Sequence, residues 1–302
     1  MTPAGPRGII VLDKPEGPTS HAMVARARKA WGTRRVGHAG TLDPLATGVL
    51  VLGIGSATRL LGHLSAQGKE YLATIALGIA TTTDDAQGVV TAAPGAICGS
   101  DEVERALVPW RGTVLQRPSA VSAVHVDGKR AHELVRAGEV PDLPEREVTI
   151  DALEIVGLRH EQVQGVDSTV VDVRVSCSAG TYVRALARDI GEALGVGGHV
   201  VSLRRTRSGA FTLSDACAPD ELGLASLMPP GEAARRSLPW TEVDAGSVRA
   251  VTHGVRIPWP PGAPEHGTVA LLHGSDLLAL AECRGGTALY SAVFAPGEEE
   301  SG

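Results

Sequence analysis

Aromatic side chains are scarce in this chain, at 3% of 302 residues. Any core must therefore be built from Val, Leu, Ile and Ala. The 43% hydrophobic share suffices for one and, with 21% charged residues, excludes a disordered chain. No apolar run approaches the ~20 residues that a membrane helix needs, and the segment after Met1 lacks the apolar stretch of a signal peptide. Cysteine is rare as well. Cys98, Cys177, Cys217 and Cys283 stand far apart with no C-x-x-C pair, which argues against a zinc site or a disulfide framework and for thiols in a reducing compartment. Gly53-Ile-Gly55 lacks the third glycine of a dinucleotide fingerprint, and there is no Walker loop, H-E-x-x-H or G-x-S-x-G elbow. A cytoplasmic protein that uses neither metal nor nucleotide cofactor is expected.

The net charge of −6 argues against a nucleic-acid partner, but its distribution does not. The first hundred residues carry nine Lys/Arg against six Asp/Glu, and the other two thirds of the chain are acidic. His21 to Leu42 holds Arg26, Arg28, Lys29, Arg34 and Arg35 with no acid at all; Arg204, Arg205 and Arg207 form a second cluster. Brought together, these would make a polyanion-binding face on an acidic body.

Gly8–Asp13 reads as a buried strand ended by turn residues, and Thr19-Ser20 offers an N-cap to a helix that Gly32 stops. Strand patterns follow at Gly48–Ile54, Tyr71–Leu77, Thr113–Gln116, Val121–Val126, Val148–Val156, Val170–Cys177 and His199–Phe211. Helical ones fall at Ala57–Leu64, Ser100–Val108 and Arg130–Ala137. The clearest helix opens at Gly180-Thr181, where Val183, Leu186, Ala187, Ile190 and Leu194 share one face. This order of elements favours an α+β fold with a largely antiparallel sheet. Beyond about Leu238 a proline-rich stretch and an apolar hairpin around Gly274-Ser275 indicate a small β-rich second domain. Gly297–Gly302 reads as a disordered tail.

One loop is more tightly specified than the rest: Gly37-His-Ala-Gly-Thr-Leu-Asp-Pro-Leu-Ala-Thr-Gly48, between the basic helix and a buried strand. Composition alone would make Asp43 a turn-capping aspartate. The loop, however, resembles the signature of the TruB family of tRNA pseudouridine 55 synthases. Lys14-Pro-Glu-Gly17 with Thr19-Ser20 resembles that family's first motif, and Lys69-Glu-Tyr71 with Thr83-Asp84-Asp85 its tyrosine motif. Ser178-Ala-Gly-Thr-Tyr-Val-Arg184 and Gly198-His-Val-Val-Ser-Leu-Arg-Arg205 resemble later motifs, in the right order. The resemblance spans roughly Gly8 to Phe211. In the middle section Val121 and His125 stand where the family commonly has tyrosine and lysine.

The resemblance implies a pseudouridine synthase fold over residues 8–228, a mixed, largely antiparallel sheet with flanking helices, and a PUA-like domain over 238–296. It implies an isomerase acting on uridine 55 of the tRNA T-loop, with no cofactor and no metal. Asp43 is the implied nucleophile, Arg184 the cation that keeps it ionised, and Tyr71 a base-stacking aromatic able to move a proton. His38, Tyr182, Leu203, Lys14 and Lys69 are the implied substrate-binding residues. A paired T-loop uridine must be flipped out to be reached. The implied partner is tRNA, held by its T-arm and, through the C-terminal domain, its acceptor arm; no membrane and no protein partner are implied, and a monomer is expected. An RNA-binding or tRNA-folding protein without turnover is the alternative, and it would need none of Asp43, Tyr71 and Arg184. A glycoside hydrolase would need a second carboxylate, which the matched motifs do not offer.

Overall fold

The computed structural model describes residues 5–120, 125–126, 129–130, 143–223 and 226–294. In chain order the first half holds β1 (Gly8–Lys14), α1 (Ser20–Trp31), β2 (Val36–His38), β3 (Thr47–Ile54), α2 (Leu61–Ser65), β4 (Lys69–Leu77), β5 (Ala80–Thr81), β6 (Val90–Ala92), α3 (Ser100–Leu107) and β7 (Gly112–Gln116). Then come β8 (His125–Val126), β9 (Lys129–Arg130), β10 (Arg146–Val163), β11 (Val166–Cys177), α4 (Val183–Ala193), β12 (Gly198–Ser208) and β13 (Phe211–Thr212). The chain ends with α5 (Pro230–Ser237), β14 (Trp240–Glu242), α6 (Ala245–Thr252), β15 (Val269–His273), β16 (Asp276–Arg284) and β17 (Thr287–Val293). It forms two compact units, one of residues 1–44, 48–65 and 208–302, the other of residues 45–47 and 66–207.

In the first unit β1 runs antiparallel to β3, from Gly8 opposite Ile54 to Lys14 opposite Gly48, and β2 pairs with the end of β3. Thr19 caps α1 by accepting from the Ala22 N–H, and Gly32 closes it at φ 63°, as the sequence indicates. Arg28 and Lys29 in the last turn complement the helix dipole. The C-terminal sheet has the order β14-β15-β16-β17, with β14 and β15 parallel and the rest antiparallel. Both of its faces are covered. Val269, Leu271 and Ala281 pack with Val251 of α6, while Ala270, Leu272, Leu277 and Leu280 join Ile9, Val11, Val49 and Val51 in one core. That is why Val269–Leu272 is apolar without alternation.

In the second unit the strand order is β12-β4-β11-β10-β7, antiparallel wherever register is defined among β4, β11, β10 and β7. α4 packs on β4 with Val183, Leu186, Ala187 and Ile190 buried. It comes so close to the start of β12 that a Cβ on Gly191 would sit 2.2 Å from the Gly198 nitrogen. Only glycine permits that approach.

The structure departs from the sequence expectations in extent rather than in kind. β10 and β11 form a ribbon that runs well past Val156 and begins before Val170. It turns at Gln164-Gly165, both with positive φ. Its outer part carries Arg159, His160, Glu161 and Gln162, all exposed, so no apolar alternation marks it. The strand expected over His199–Phe211 breaks at Gly209-Ala210, and Ala57–Leu64 divides into a 3₁₀ turn followed by α2. β14, β17 and α5 had no expectation. Arg130, expected to open a helix, ends β9 instead; the rest of that helix, 131–137, and most of the strand at Val121–Val126 lie outside the described residues, as does the tail from Gly297.

Candidate active site

The Asp43 loop follows β2, with Asp43 and Pro44 in the first unit, and the residues from Lys14 to Ser20 hold it on both sides of the aspartate. Ser20, 1% exposed, donates its Oγ hydrogen to the Leu42 carbonyl (3.0 Å) and accepts from the Leu42 N–H (2.8 Å). The Gly17 N–H donates to the Pro44 carbonyl at 2.8 Å. Lys14, with no exposure, places its ammonium on the carbonyls of Pro15 and Pro18 at 2.8 Å each and of Pro44 at 3.4 Å. Both neighbours of Asp43 are therefore fixed, and the carboxylate has little backbone freedom. Proline at 44 removes a donor and restricts Asp43 itself. At the end of β2, just before the loop, the His38 ring meets that of His21 edge-on, with centroids 5.3 Å apart.

In the second unit Tyr71 and Lys69 lie on β4, opposite Val175 and Cys177 of β11, and both are buried. Burial, reinforced by the charge of Arg205, pulls the Lys69 ammonium down to about 8. Arg184, in the first turn of α4, is also buried. Its Nη1 donates to the Thr83 carbonyl at 2.8 Å and lies 3.3 Å from Oδ2 of Asp85. Each side chain of this pair is 7% exposed. Asp85 is held in turn by Thr83 Oγ1 (2.6 Å) and the Gln87 N–H (3.0 Å). Removing one partner of such a buried pair would leave an uncompensated charge, at a cost of about 3–5 kcal/mol.

Tyr182 caps α4, and both of its backbone groups are gripped by Gln116, whose Nε2 donates to the carbonyl (3.1 Å) and whose Oε1 accepts from the N–H (2.8 Å). The carbonyl of Leu203, on β12, faces Thr47 Oγ1 at 3.5 Å. Of the downstream basic cluster, Arg205 is only 1% exposed, and Arg204 and Arg207 are half-buried. Successive residues of a strand point to opposite faces of its sheet, so Arg204 is turned away from Arg205 and Arg207 and the three arginines do not share one face. In α1, by contrast, Arg26, Arg28 and Lys29 are all exposed.

Sequence reasoning gave no role to Ser20, Gln116 or Asp85. Only Asp85 had a usable signal, a carboxylate in a motif that also matched. The other two are recognisable only from their backbone partners, 22 and 66 residues away.

The mixed sheet, its flanking helices and the small β-rich sheet make the fold of the pseudouridine synthases. A chain of the H/ACA RNP bound to a substrate RNA containing 2'-deoxyuridine superposes at a TM-score of 0.72 with 27% identity, over 96% of this chain and 86% of that one. At the level of sequence, residues 28–183 match the TruB family pseudouridylate synthase N-terminal domain. Residues 184–233 match the tRNA pseudouridylate synthase B C-terminal domain. The tRNA pseudouridine synthase B of Thermobifida fusca is 48% identical over 95% of this chain and 98% of its own length. That of an Arthrobacter species is 45% identical over 98% and 99%. That of Mycolicibacterium paratuberculosis reaches 56% over 72% and 73%. The chain belongs to the TruB family of pseudouridylate synthases.

Proposed function

We propose that this protein is an isomerase that converts uridine 55 in the T-loop of tRNA to pseudouridine. The observation that carries the reading is the Asp43 loop, fixed at Leu42 by Ser20 and at Pro44 by Gly17 and Lys14, in a chain of this family. A protein that only bound RNA would have no use for an aspartate whose neighbours on both sides are held so firmly.

Asp43 supplies the nucleophile, which attacks C1′ of the ribose or C6 of the base. The N1–C1′ bond breaks, the uracil turns, and a C5–C1′ bond forms while C5 loses its proton and N1 gains one. Atoms and electrons balance within the nucleotide, so the reaction calls for no cofactor, no metal and no energy source. Arg184 is the cation that favours the ionised carboxylate. Tyr71 offers an aromatic face to the flipped base and a phenol for proton transfer. His38, Tyr182, Leu203, Lys14 and Lys69 line the path of the nucleotide or hold the groups that do. The cations of α1 draw in the phosphate backbone. The segment 238–296 acts as a PUA-like domain that holds the acceptor arm, and residues 8–228 form the catalytic domain. All four cysteines are free thiols, which suits the cytoplasm. Among the described residues, no helix is long and apolar enough to cross a membrane.

The test is to incubate an unmodified tRNA transcript with the protein and EDTA and then map pseudouridine. Product at position 55 is expected, and binding without product would leave the RNA-binding alternative.

A further inference from the structure

One turn beyond Arg184 on α4, Arg188 spends its guanidinium on protein groups alone. Its Nε and Nη2 meet Asp189 Oδ1 at 2.8 and 2.7 Å. Its Nη2 also donates to the Arg117 carbonyl at 2.8 Å, and its Nη1 lies 3.4 Å from Oδ2 of Asp84. Asp84 is 9% exposed and has φ +58°, the left-handed region that non-glycine residues enter at a cost. Its neighbours on either side are the two groups that orient Arg184, the Thr83 carbonyl and the Asp85 carboxylate. The direction in which those groups point thus depends on a strained residue, and Arg188 is bound to its side chain.

We infer that Arg188 is a positioning residue for Arg184, acting through Asp84. The inference rests on the reading of Arg184 as the cation of the reaction. Charge balance supports it. Asp84, Asp85 and Asp189 stand against Arg184 and Arg188. Without Arg188, three carboxylates compete for one guanidinium, and Arg184 loses its single preferred orientation. Asp189 already feels the crowding: burial, aided by the charges of Glu192 and Asp84, pushes its carboxyl above the usual range despite Arg188. The Arg117 contact extends the brace to the end of β7, where Gln116 grips the residue that caps α4.

The test uses the full chain with Arg188→Ala, Arg188→Lys and the double variant Asp84→Gly/Arg188→Ala. Single-turnover pseudouridine formation and tRNA affinity are measured on an unmodified transcript, and the folded fraction is followed by thermal melting. Arg188→Ala should slow the single-turnover rate by about 10–100-fold, the scale of a misplaced catalytic group, and leave the Kd within about threefold. Arg188→Lys should recover part of the rate, because an ammonium can still reach Asp84. The double variant is the sharper arm. Glycine takes φ +58° without strain and removes the carboxylate that needed Arg188, so it should run faster than Arg188→Ala alone. A parental rate in Arg188→Ala, a loss that only follows unfolding, or a double variant no better than the single one would each overturn the inference. Should the parent make no pseudouridine, the functional reading falls, and crystal structures of the variants decide the positioning separately. Arg184 displaced from Thr83 and Asp85 in Arg188→Ala and restored in the double variant upholds it; an unmoved Arg184 overturns it.

Discussion

Ser20→Ala isolates the clamp on the Asp43 loop. The substitution removes one hydroxyl and with it two hydrogen bonds, those to the Leu42 carbonyl and from the Leu42 N–H. Leu42 is itself buried, at 3% exposure, so its backbone groups lose their partners away from solvent. Each unsatisfied buried group costs about 1–3 kcal/mol, whereas alanine at the start of a helix returns only a few tenths. A net penalty of roughly 2–5 kcal/mol falls on the loop next to Asp43. The loop therefore opens locally: the Leu42 amide should lose protection against hydrogen exchange by about two to three orders of magnitude. The single-turnover rate should drop by roughly 10–100-fold through lost alignment, with little change in tRNA affinity. Thr19→Ala is the matched control. It deletes an exposed cap worth about 1 kcal/mol and leaves the loop's hydrogen bonds in place, so the rate should hold. Equal rates for the two variants would refute the reasoning.

Tyr71→Phe keeps the aromatic face and removes the phenol, so stopped-flow or quench assays should show binding within a few-fold and turnover down by about 10²–10⁴-fold. Arg26, Arg28 and Lys29 changed together to Ala should flatten the slope of log Kd against log salt by about 0.7–0.9 for each phosphate that is no longer neutralised, read by filter binding. Lys69 gives a pH signature. Its folded value of about 8 lies below the ordinary 10.5, so the unfolded chain binds more protons between those pH values and stability rises with pH there. Measured by denaturant unfolding against Lys69→Met, the parent should gain about 1–3 kcal/mol from about pH 7.5 to 10; parallel curves would argue against a buried ammonium. Removal of residues from Leu238 onward should abolish activity on a minimal T-arm stem-loop as well as on whole tRNA. Leu272, Leu277 and Leu280 share a core with Ile9 and Val51, so truncation strips the unit that carries Asp43.

What the sequence disclosed, and what it hid, follows from where the signals come from. α1 was legible with both its ends, because Thr19 and Gly32 are local capping devices. The helix that carries Arg184 was legible because its apolar face is continuous. The outer β10–β11 ribbon was not, since it covers no core and leaves no hydrophobic period. Arg205 misled for a related reason: a run of arginines looks like a surface, and nothing local marks the one that the sheet buries. The aspartate loop stood out in the sequence through its three glycines and its proline. Its clamp did not, because Ser20 meets Leu42 across 22 residues of chain, and no short-range pattern encodes that pairing.

The most direct measurement replaces Asp43 by Asn and follows pseudouridine on the same transcript, beside the parent. The two side chains are nearly isosteric, so the loop held by Lys14, Gly17 and Ser20 should stay in place and thermal stability should hardly change. Only the anionic oxygen is lost, and an amide does not replace it as a nucleophile. The parent should yield pseudouridine at position 55, while the variant shifts tRNA on a gel with no detectable product. Product from an Asp43→Asn preparation shown to be free of deamidation would contradict the account.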